Sequence, residues 1–160
     1  MIIRVAKKDD LEKLVPLFVE YNQSLWKLLP KKDSFFKNPK NNFPVYIKKS
    51  VSYLLSHKKY YILVAEESGK LVGTVSGWVE KERNSLFKDS CILGNLGYFV
   101  VKKEFAGRGI GSRLKRELFL YFKNKKVNFI TLEVNLNNPA KEIYKKWGFK
   151  TYSEKMSLQF

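Results

Sequence analysis

The segment from residue 95 to residue 112, NLGYFVVKKEFAGRGIGS, constrains the fold more than any other part of the chain. The aromatic and β-branched run from Leu96 to Val101 predicts a buried strand. Three glycines follow within residues 107–111, and apolar residues then recur at helical spacing, at Leu114, Leu118, Tyr121 and Phe122. A glycine loop before a helix whose first N–H groups lack partners suits a phosphate group. We therefore predict a diphosphate site formed by Gly107, Arg108, Gly109, Ile110, Gly111 and Ser112.

Two familiar phosphate-binding loops fit this segment poorly. A P-loop requires Lys and then Ser or Thr after its last glycine, whereas Ser112-Arg113 follows Gly111 here. A dinucleotide-binding fold needs a third glycine where Ser112 stands, and it needs further strands after the one predicted to end near Glu133. The 160-residue chain leaves too few residues for those strands. A plain tight turn remains the alternative for the loop taken by itself.

A second motif, NLNNPAKEIYKKWGF, occupies residues 135–149. Together the two motifs resemble the signatures of the GNAT superfamily of acetyl-CoA-dependent N-acetyltransferases. The nucleotide-binding signature of that family is Gln or Arg, two residues, Gly, one residue, then Gly or Ala, and it falls on Ala106, Gly109 and Gly111. The second signature falls on Asn137, Ala140, Tyr144 and Gly148-Phe149. Ala106 departs from the family, because the usual Gln or Arg side chain is absent.

The resemblance implies an α/β (α+β) fold of GNAT type, with a central mixed, mostly antiparallel sheet of about seven strands and about four flanking helices. It implies a single N-acetyltransferase domain over residues 1–160, with acetyl-CoA as cosubstrate and no metal. In the family a splayed pair of strands holds the cofactor, and the main chain of the first strand binds the pantetheine arm. In this chain that strand segment is Phe99, Val100 and Val101. The motif position of Asn137 adds this residue to the predicted cofactor site.

The resemblance also implies direct transfer of the acetyl group to a primary amine in a ternary complex. The amine must lose a proton, and the departing thiolate of coenzyme A must gain one. The family places the hydroxyl of Tyr144 beside the sulfur, so Tyr144 is the predicted general acid. Glu133 is the first choice of general base, because strand alternation puts its carboxylate on the polar face of the predicted strand. Ribosomal-protein alanine acetyltransferases of the superfamily carry a Glu at this place. Glu80, Glu82 and ordered water remain alternatives.

Hydrophobic patterning predicts the remaining elements. On the amino-terminal side we predict a strand at Ile2–Val5, a helix from Leu11 to Leu25 in which Pro16 makes a kink or marks the true first turn, a loop at residues 30–44, and a helix at Val45–His57. We next predict a hairpin of Tyr60–Ala65 and Leu71–Val79 turning at Ser68-Gly69, then an irregular segment at Lys81–Ser90. Gly94 and Gly97 indicate a bulge or a close approach of another backbone in the following strand. The last elements are a strand at Val127–Val134, a helix at Asn137–Trp147 and closing strands at Phe149–Phe160.

Composition bounds the environment and the partners of the chain. Lys and Arg total 31 against 15 Asp and Glu, which gives a formal charge of +16. The charges lie in scattered pairs such as Lys7-Lys8 and Lys125-Lys126, and A/T-rich codon usage is an equal explanation, so we expect no specific nucleic-acid partner. The sequence lacks a long apolar run and a signal-peptide pattern, so we expect a cytoplasmic protein without membrane contact. The single cysteine, Cys91, excludes an internal disulfide.

Other chemistries receive little support from the sequence. A covalent mechanism through Cys91 would need a nearby base, and the single histidine, His57, lies at a predicted helix end. His57 also lacks partners at metal-ligand spacing, so we predict no metal site. A degenerate acyl-CoA-binding sensor and, less favoured, a basic nucleic-acid-binding domain remain alternative functions. We expect an amine acceptor, either a small molecule or a protein amino group, and a monomer or homodimer.

Overall fold

The computed structural model of the protein describes residues 1–29, 42–83 and 89–154. Its elements in chain order are β1 Ile2–Val5, α1 Leu11–Trp26, α2 Phe43–Ser56, β2 Tyr60–Glu67, β3 Lys70–Glu82, β4 Cys91–Val101, α3 Ile110–Asn124, β5 Phe129–Leu132 and α4 Ala140–Lys146. Single turns of 3-10 helix precede α1 at Lys8–Asp10 and α3 at Lys103–Phe105. Four α-helices confirm the predicted number within the described residues. None of these helices combines the length and the apolar character needed to cross a membrane.

The five strands of the described residues form one mixed sheet in the order β1-β2-β3-β4-β5. Neighbours from β1 to β4 are antiparallel, and β5 joins β4 in parallel. The pairing of β4 with β5 runs only from Leu93 opposite Phe129 to Leu96 opposite Leu132. β4 itself continues to Val101 and remains paired with β3. Beyond Leu96, the outer edge of β4 therefore has no partner strand among the described residues.

Helices cover both faces of the sheet and divide the core into two parts. On one face, α1 and α2 contribute Leu14, Leu17, Phe18, Ile47, Val51 and Leu54. On the other face, α3 contributes Ile110, Leu114, Leu118 and Phe122, which recur at helical spacing. β4 alternates between the two parts, because Tyr98 and Val100 pack with the first and Phe99 and Val101 with the second. We name these the α1/α2 face and the α3 face.

The glycine signals in β2, β3 and β4 are confirmed. Ser68 and Gly69 have φ angles of 49° and 74°, as a two-residue turn between antiparallel strands requires. In β4, Gly97 and Tyr98 together oppose Ser76, so a bulge interrupts the register between β3 and β4. The Tyr98 N–H donates to Ser76 Oγ at 2.9 Å, and a Cβ atom at Gly97 would lie 2.7 Å from the same oxygen. The bulge thus requires glycine at position 97.

An ion-pair cluster ties the start of α1 to the outer strands. Arg4 of β1 donates to the two carboxylate oxygens of Asp10 at 2.7 and 2.8 Å, and to Glu66 of β2 at 2.8 Å. Asp10 is only 5% exposed and also accepts the Lys7 N–H at 2.7 Å. The hydrogen bonds from Arg4 are the main reason that the pKa of Asp10 lies below its usual value. Because Asp10 precedes Leu11, this cluster fixes the first turn of α1 against the sheet.

The two amino-terminal helices differ in detail from the sequence predictions. α1 begins at Leu11, so Pro16 lies inside the helix and not in its first turn. α2 begins at Phe43, earlier than the predicted Val45, and Pro44 occupies its first turn, where a missing N–H costs no hydrogen bond. The predicted loop at residues 30–44 lies mostly outside the described residues, which resume at residue 42.

The strand predictions need three corrections. The polar side chains from Lys81 onward predict an irregular segment, but β3 continues to Glu82 in register with β4. The strand continues because its pairing with β4 is made by the main chain and does not depend on those side chains. β5 ends at Leu132, so Glu133 follows the strand instead of lying within it. Residues 149–154 form no strand, and residues 155–160 lie outside the described residues. The predicted total of about seven strands is therefore not confirmed, since the described residues form five.

Candidate functional site

The glycine loop takes its shape from two left-handed residues. Gly107 and Gly109 have φ angles of 76° and 73°, a region that residues with a Cβ atom rarely adopt. Gly109 is the N-cap of α3, and the helix begins at Ile110. Ile110 is buried in the core of the α3 face, which fixes the start of the helix against the sheet. The predicted order of strand, glycine loop and helix is therefore confirmed.

The loop leaves a row of backbone donors open. Within the described residues, no oxygen accepts a hydrogen bond from the backbone N–H of any residue from Gly107 to Ser112. The next N–H, of Arg113, donates to the Gly109 carbonyl at 3.1 Å. The six open donors lie at the amino end of α3, where the helix dipole favours negative charge. We name residues 107–112 the amide loop; its donors match the needs of a phosphate or diphosphate.

The side chain of Arg108 binds to the hairpin of β2 and β3. Its Nη2 donates to Glu67 Oε1 at 2.7 Å, and its guanidinium lies 5.0 Å from the ring centroid of Phe105. The sequence predicts Arg108 as a cofactor contact. In the structure its backbone N–H belongs to the amide loop, while its side chain is the ion-pair partner of Glu67.

The predicted cofactor contacts in β4 lie next to the amide loop. Phe99, Val100 and Val101 are partly buried and pair with β3 on one side. The ring of Phe99 meets that of Trp147 at a centroid distance of 5.4 Å, and a Cβ atom at Gly111 would lie 3.4 Å from the same phenylalanine ring. The end of β4, the start of α3 and the end of α4 are therefore close together.

Tyr144 lies in α4 with its ring against Trp147 and Phe149, at centroid distances of 5.5 and 6.2 Å. Burial raises the pKa of its hydroxyl above the usual value. No hydrogen bond joins this hydroxyl to another group of the described residues. The structure thus brings the predicted acid to a half-buried position with a hydroxyl that can still serve a ligand.

Two further tyrosines contact each other, and one of them, Tyr21, lies near Tyr144. Burial, and then the hydroxyls of Tyr144 and Tyr98, raise the pKa of Tyr21 to about 12. Tyr21 of α1 and Tyr98 of the β4 bulge meet edge to face at 5.4 Å, and Tyr98 also packs on Phe18 at 4.7 Å. The sequence prediction missed these residues, although Tyr21 follows Phe18 at helical spacing and so continues its apolar stripe. We name Tyr21, Tyr98 and Tyr144 the tyrosine group.

The candidate bases differ in their surroundings. Glu133 is exposed and follows the end of β5. Glu80 of β3 binds Lys59 at 2.6 Å and accepts a hydrogen bond from Asn95 at 3.2 Å, and Lys59 is the main reason that its pKa is lowered. Asn95 accepts in turn from Thr131 of β5 at 3.0 Å. Glu80 is therefore tied into a side-chain network across three strands and is a poor proton acceptor.

The remaining residues named in the sequence analysis lie at the ends of helices and strands or in the turn before α4. Asn137 is exposed in the turn before α4, and its N–H donates to Asn135 Oδ1 at 2.9 Å. Glu82 is the last residue of β3, His57 is the C-cap of α2, and Cys91 is the first residue of β4. Among the residues that the structure describes, no group of three or more His, Cys, Asp or Glu side chains could hold a metal ion.

Known proteins share both the sequence pattern and the fold. Residues 58–151 match the family model described as an acetyltransferase (GNAT) domain. The chain is 32% identical over 129 residues to an uncharacterized N-acetyltransferase of Archaeoglobus fulgidus. The aligned residues cover 79% of this chain and 78% of that relative. The solved structure of a tetramutant of the BH1408 protein of Bacillus halodurans has 21% identity, a TM-score of 0.85 and full coverage of both chains. A protein of Clostridium acetobutylicum, described as a predicted acetyltransferase with acetyl-CoA, has 18% identity and a TM-score of 0.71 over 99% of this chain and 95% of that chain.

Proposed function

The chain belongs to the GNAT acetyltransferases, and from that premise we propose that it moves an acetyl group from acetyl-CoA to a primary amine by direct attack in a ternary complex. The observation that carries the proposal is the amide loop, whose six backbone N–H groups find no acceptor within the described residues. The diphosphate of coenzyme A offers the oxygens that such a row of donors requires. These are backbone contacts, so the missing side chain at Ala106 leaves them in place.

The pantetheine arm is proposed to lie along the open edge of β4. Pairing with β5 stops at Leu96, so the main chain of Phe99, Val100 and Val101 meets no strand on that side among the described residues. An arm that contains amide groups can hydrogen-bond to such an edge as an added strand would. The proposed path runs from the amide loop towards Tyr144, in a cofactor cleft beside the part of β4 that lies beyond its pairing with β5. Asn137, exposed before α4, is proposed to complete this cleft.

The proposed proton transfers use Tyr144 and Glu133. A tyrosine hydroxyl carries its proton at neutral pH, and burial raises the pKa of Tyr144 further, so the hydroxyl is in the form that can donate to the departing thiolate. Glu133 is the proposed base because its carboxylate is exposed, whereas Glu80 is bound to Lys59. The amine loses its proton to Glu133 directly or through water.

The acceptor amine is proposed to approach from the α1/α2 face. On that face Tyr21 lies near Tyr144 and contacts Tyr98, and these two tyrosines offer hydroxyl groups and ring surfaces to an acceptor. The proposed acceptor is a small-molecule amine or a protein amino group, and specificity depends on the elements that surround the tyrosine group.

Release of free thiol from acetyl-CoA, measured over a panel of small amines and peptides with free amino termini, tests the proposed function. We expect thiol release that depends on the acceptor, together with an acceptor product heavier by one acetyl group. Tight acetyl-CoA binding with no such release across the panel would favour a sensor. Submicromolar binding of nucleic acid at about 150 mM salt would favour the basic binding domain. A chain that binds no acetyl-CoA at all would contradict the proposal.

A further inference from the structure

Glu67 and Arg108 join two parts of the chain that are 41 residues apart. Arg108 stands between the two left-handed glycines of the amide loop, and Glu67 ends β2 just before the hairpin turn. The 2.7 Å bond from Arg108 Nη2 to Glu67 Oε1 and the Phe105 ring, 5.0 Å from the guanidinium, hold the arginine side chain by two contacts. Both partners lie outside residues 107–112. The side chain is thus engaged with the scaffold, while the N–H of the same residue stays open for a ligand.

The carboxylate of Glu67 depends on this contact. Its Oε1 binds Arg108, whereas its Oε2 is buried and has no hydrogen-bond partner within the described residues. The Glu67 side chain is 27% exposed and that of Arg108 is 51% exposed. A carboxylate oxygen buried without a donor is costly, so Arg108 is the main compensation for the Glu67 charge. The position of Glu67 therefore favours its ion pair with Arg108, although one of its carboxylate oxygens loses contact with water there.

We propose that Glu67 and Arg108 form a strut that holds the amide loop in its anion-binding shape, so that the Arg108 side chain is a positioning group and not a phosphate ligand. This inference rests on the proposed binding of coenzyme A at the amide loop. Glycine loses more conformational freedom on ordering than any other residue, and the loop contains three glycines. A loop that is already ordered in the free protein binds its ligand more tightly, because binding then requires no further loss of conformational entropy from the loop.

The direction of the Glu67 effect separates a strut from a simple electrostatic contribution. Coenzyme A is strongly anionic, so a carboxylate close to its binding loop repels it. If charge alone mattered, Glu67→Gln would strengthen the binding of acetyl-CoA and would also free Arg108 to contact a phosphate. A strut requires the opposite direction, because the loop loses its anchor.

Calorimetric titration with acetyl-CoA of Glu67→Gln, Arg108→Gln and the double variant tests the strut. We expect each single variant to raise the Kd about threefold, as is typical of an exposed ion pair, and the double variant to bind no worse than either single variant. Glu104→Gln is the matched control, because it removes an exposed carboxylate from the turn before the loop. It should leave the Kd unchanged or lower it slightly. The KM of S-acetylpantetheine, which lacks the diphosphate, should stay the same in Glu67→Gln.

Two results would overturn the strut. Glu67→Gln could bind acetyl-CoA as tightly as the parent or more tightly while Arg108→Gln binds more weakly, which would make Arg108 a phosphate ligand. The second contradicting result is an unchanged Kd of acetyl-CoA in both single variants. Titrations at a temperature where circular dichroism shows every variant folded separate these results from a loss of stability. Failure of the proposed function has a different signature, since the parent itself would then bind no acetyl-CoA.

Discussion

The amide loop and the tyrosine group build the two halves of the candidate site by different means. The amide loop, at the start of α3, uses backbone N–H groups from six consecutive residues. The tyrosine group uses side chains from α1, β4 and α4, which lie far apart in the sequence. A backbone site tolerates a change of side chain but not a change of backbone shape. A side-chain site depends on each hydroxyl and on the packing of every helix that carries one.

The largest expected effect falls on the side-chain half. Tyr144→Phe should lower the rate of acetyl transfer by about 10²-fold or more, because it removes the proposed acid, and should leave the Kd of acetyl-CoA unchanged because the ring remains. Single-turnover rates and calorimetry measure the two quantities. Tyr61→Phe is the matched control, since Tyr61 stacks on Tyr121 at 3.9 Å on the α3 face. Parental rates in Tyr144→Phe, once chemistry limits turnover, would mean that solvent supplies the proton.

The docking of α1, which carries Tyr21, should be sensitive to the ion pair at its start. Asp10→Asn should lower the free energy of unfolding by about 2 kcal/mol at pH 7, because Arg4 loses the more buried of its two charged partners and keeps only Glu66. The pKa of Asp10 is lowered in the folded protein, so its contribution is complete above the unfolded pKa of about 3.9 and is lost as the pH falls through the lower folded value. Urea unfolding at pH 7 and at acidic pH should therefore show that acidification lowers the free energy of unfolding less in Asp10→Asn than in the parent. Asp9→Asn, at an exposed position, is the control; an equal loss of stability in both variants would contradict this role.

The base assignment can be sharpened by comparing two carboxylates. Glu133→Gln should lower kcat/KM about tenfold at low pH, where the amine is protonated, and a rise in pH should partly restore the rate. Glu80→Gln should show no such pH-dependent recovery, because Glu80 is bound to Lys59 and its pKa is lowered. The measurement is a pH-rate profile of both variants. Identical profiles for the parent and Glu133→Gln would assign the base to water.

A smaller effect should divide acceptor binding from cofactor binding. Tyr21→Phe should raise the KM of the acceptor about fivefold through loss of one hydrogen-bonding group, while the Kd of acetyl-CoA stays the same. Steady-state kinetics with the acceptor found in the amine panel, beside calorimetry, give the two values. If Tyr21→Phe weakened acetyl-CoA and the acceptor equally, the tyrosine group would not be specific to the acceptor side.

Local signals predicted the backbone half of the site and much of the fold. Positive φ angles at Gly69, Gly107 and Gly109, and the close approach at Gly97, are requirements that glycine meets within a few residues of sequence. Apolar spacing likewise predicted α1, α2 and α3, because each buries one stripe. Strand ends were less predictable. β3 continues through polar residues because β4 pairs with it, and β5 ends before Glu133 although its apolar pattern continues.

The side-chain half of the candidate site could not be predicted from local sequence patterns, because it depends on contacts between residues that are far apart in the sequence. Tyr21 of α1 lies near Tyr144 of α4, although the two helices are far apart in the sequence. Glu67 reaches Arg108 because the β2–β3 hairpin ends beside the glycine loop. Tyr144 itself was predicted only through the family motif, since a tyrosine in a short helix carries no signal of its own. Contacts of this kind follow from the order of the strands in the sheet.

The most direct measurement compares the acetyl-CoA affinity of Gly109→Val with that of Gly69→Val. The two glycines have φ angles of 73° and 74°, and a Cβ atom would meet open space at each, so the two substitutions should strain the folded chain alike. If the backbone of the amide loop holds the diphosphate, Gly109→Val should raise the Kd by at least about tenfold and Gly69→Val should leave it unchanged. Parental affinity in folded Gly109→Val, or an equal loss in both variants, would contradict the binding of coenzyme A at this loop.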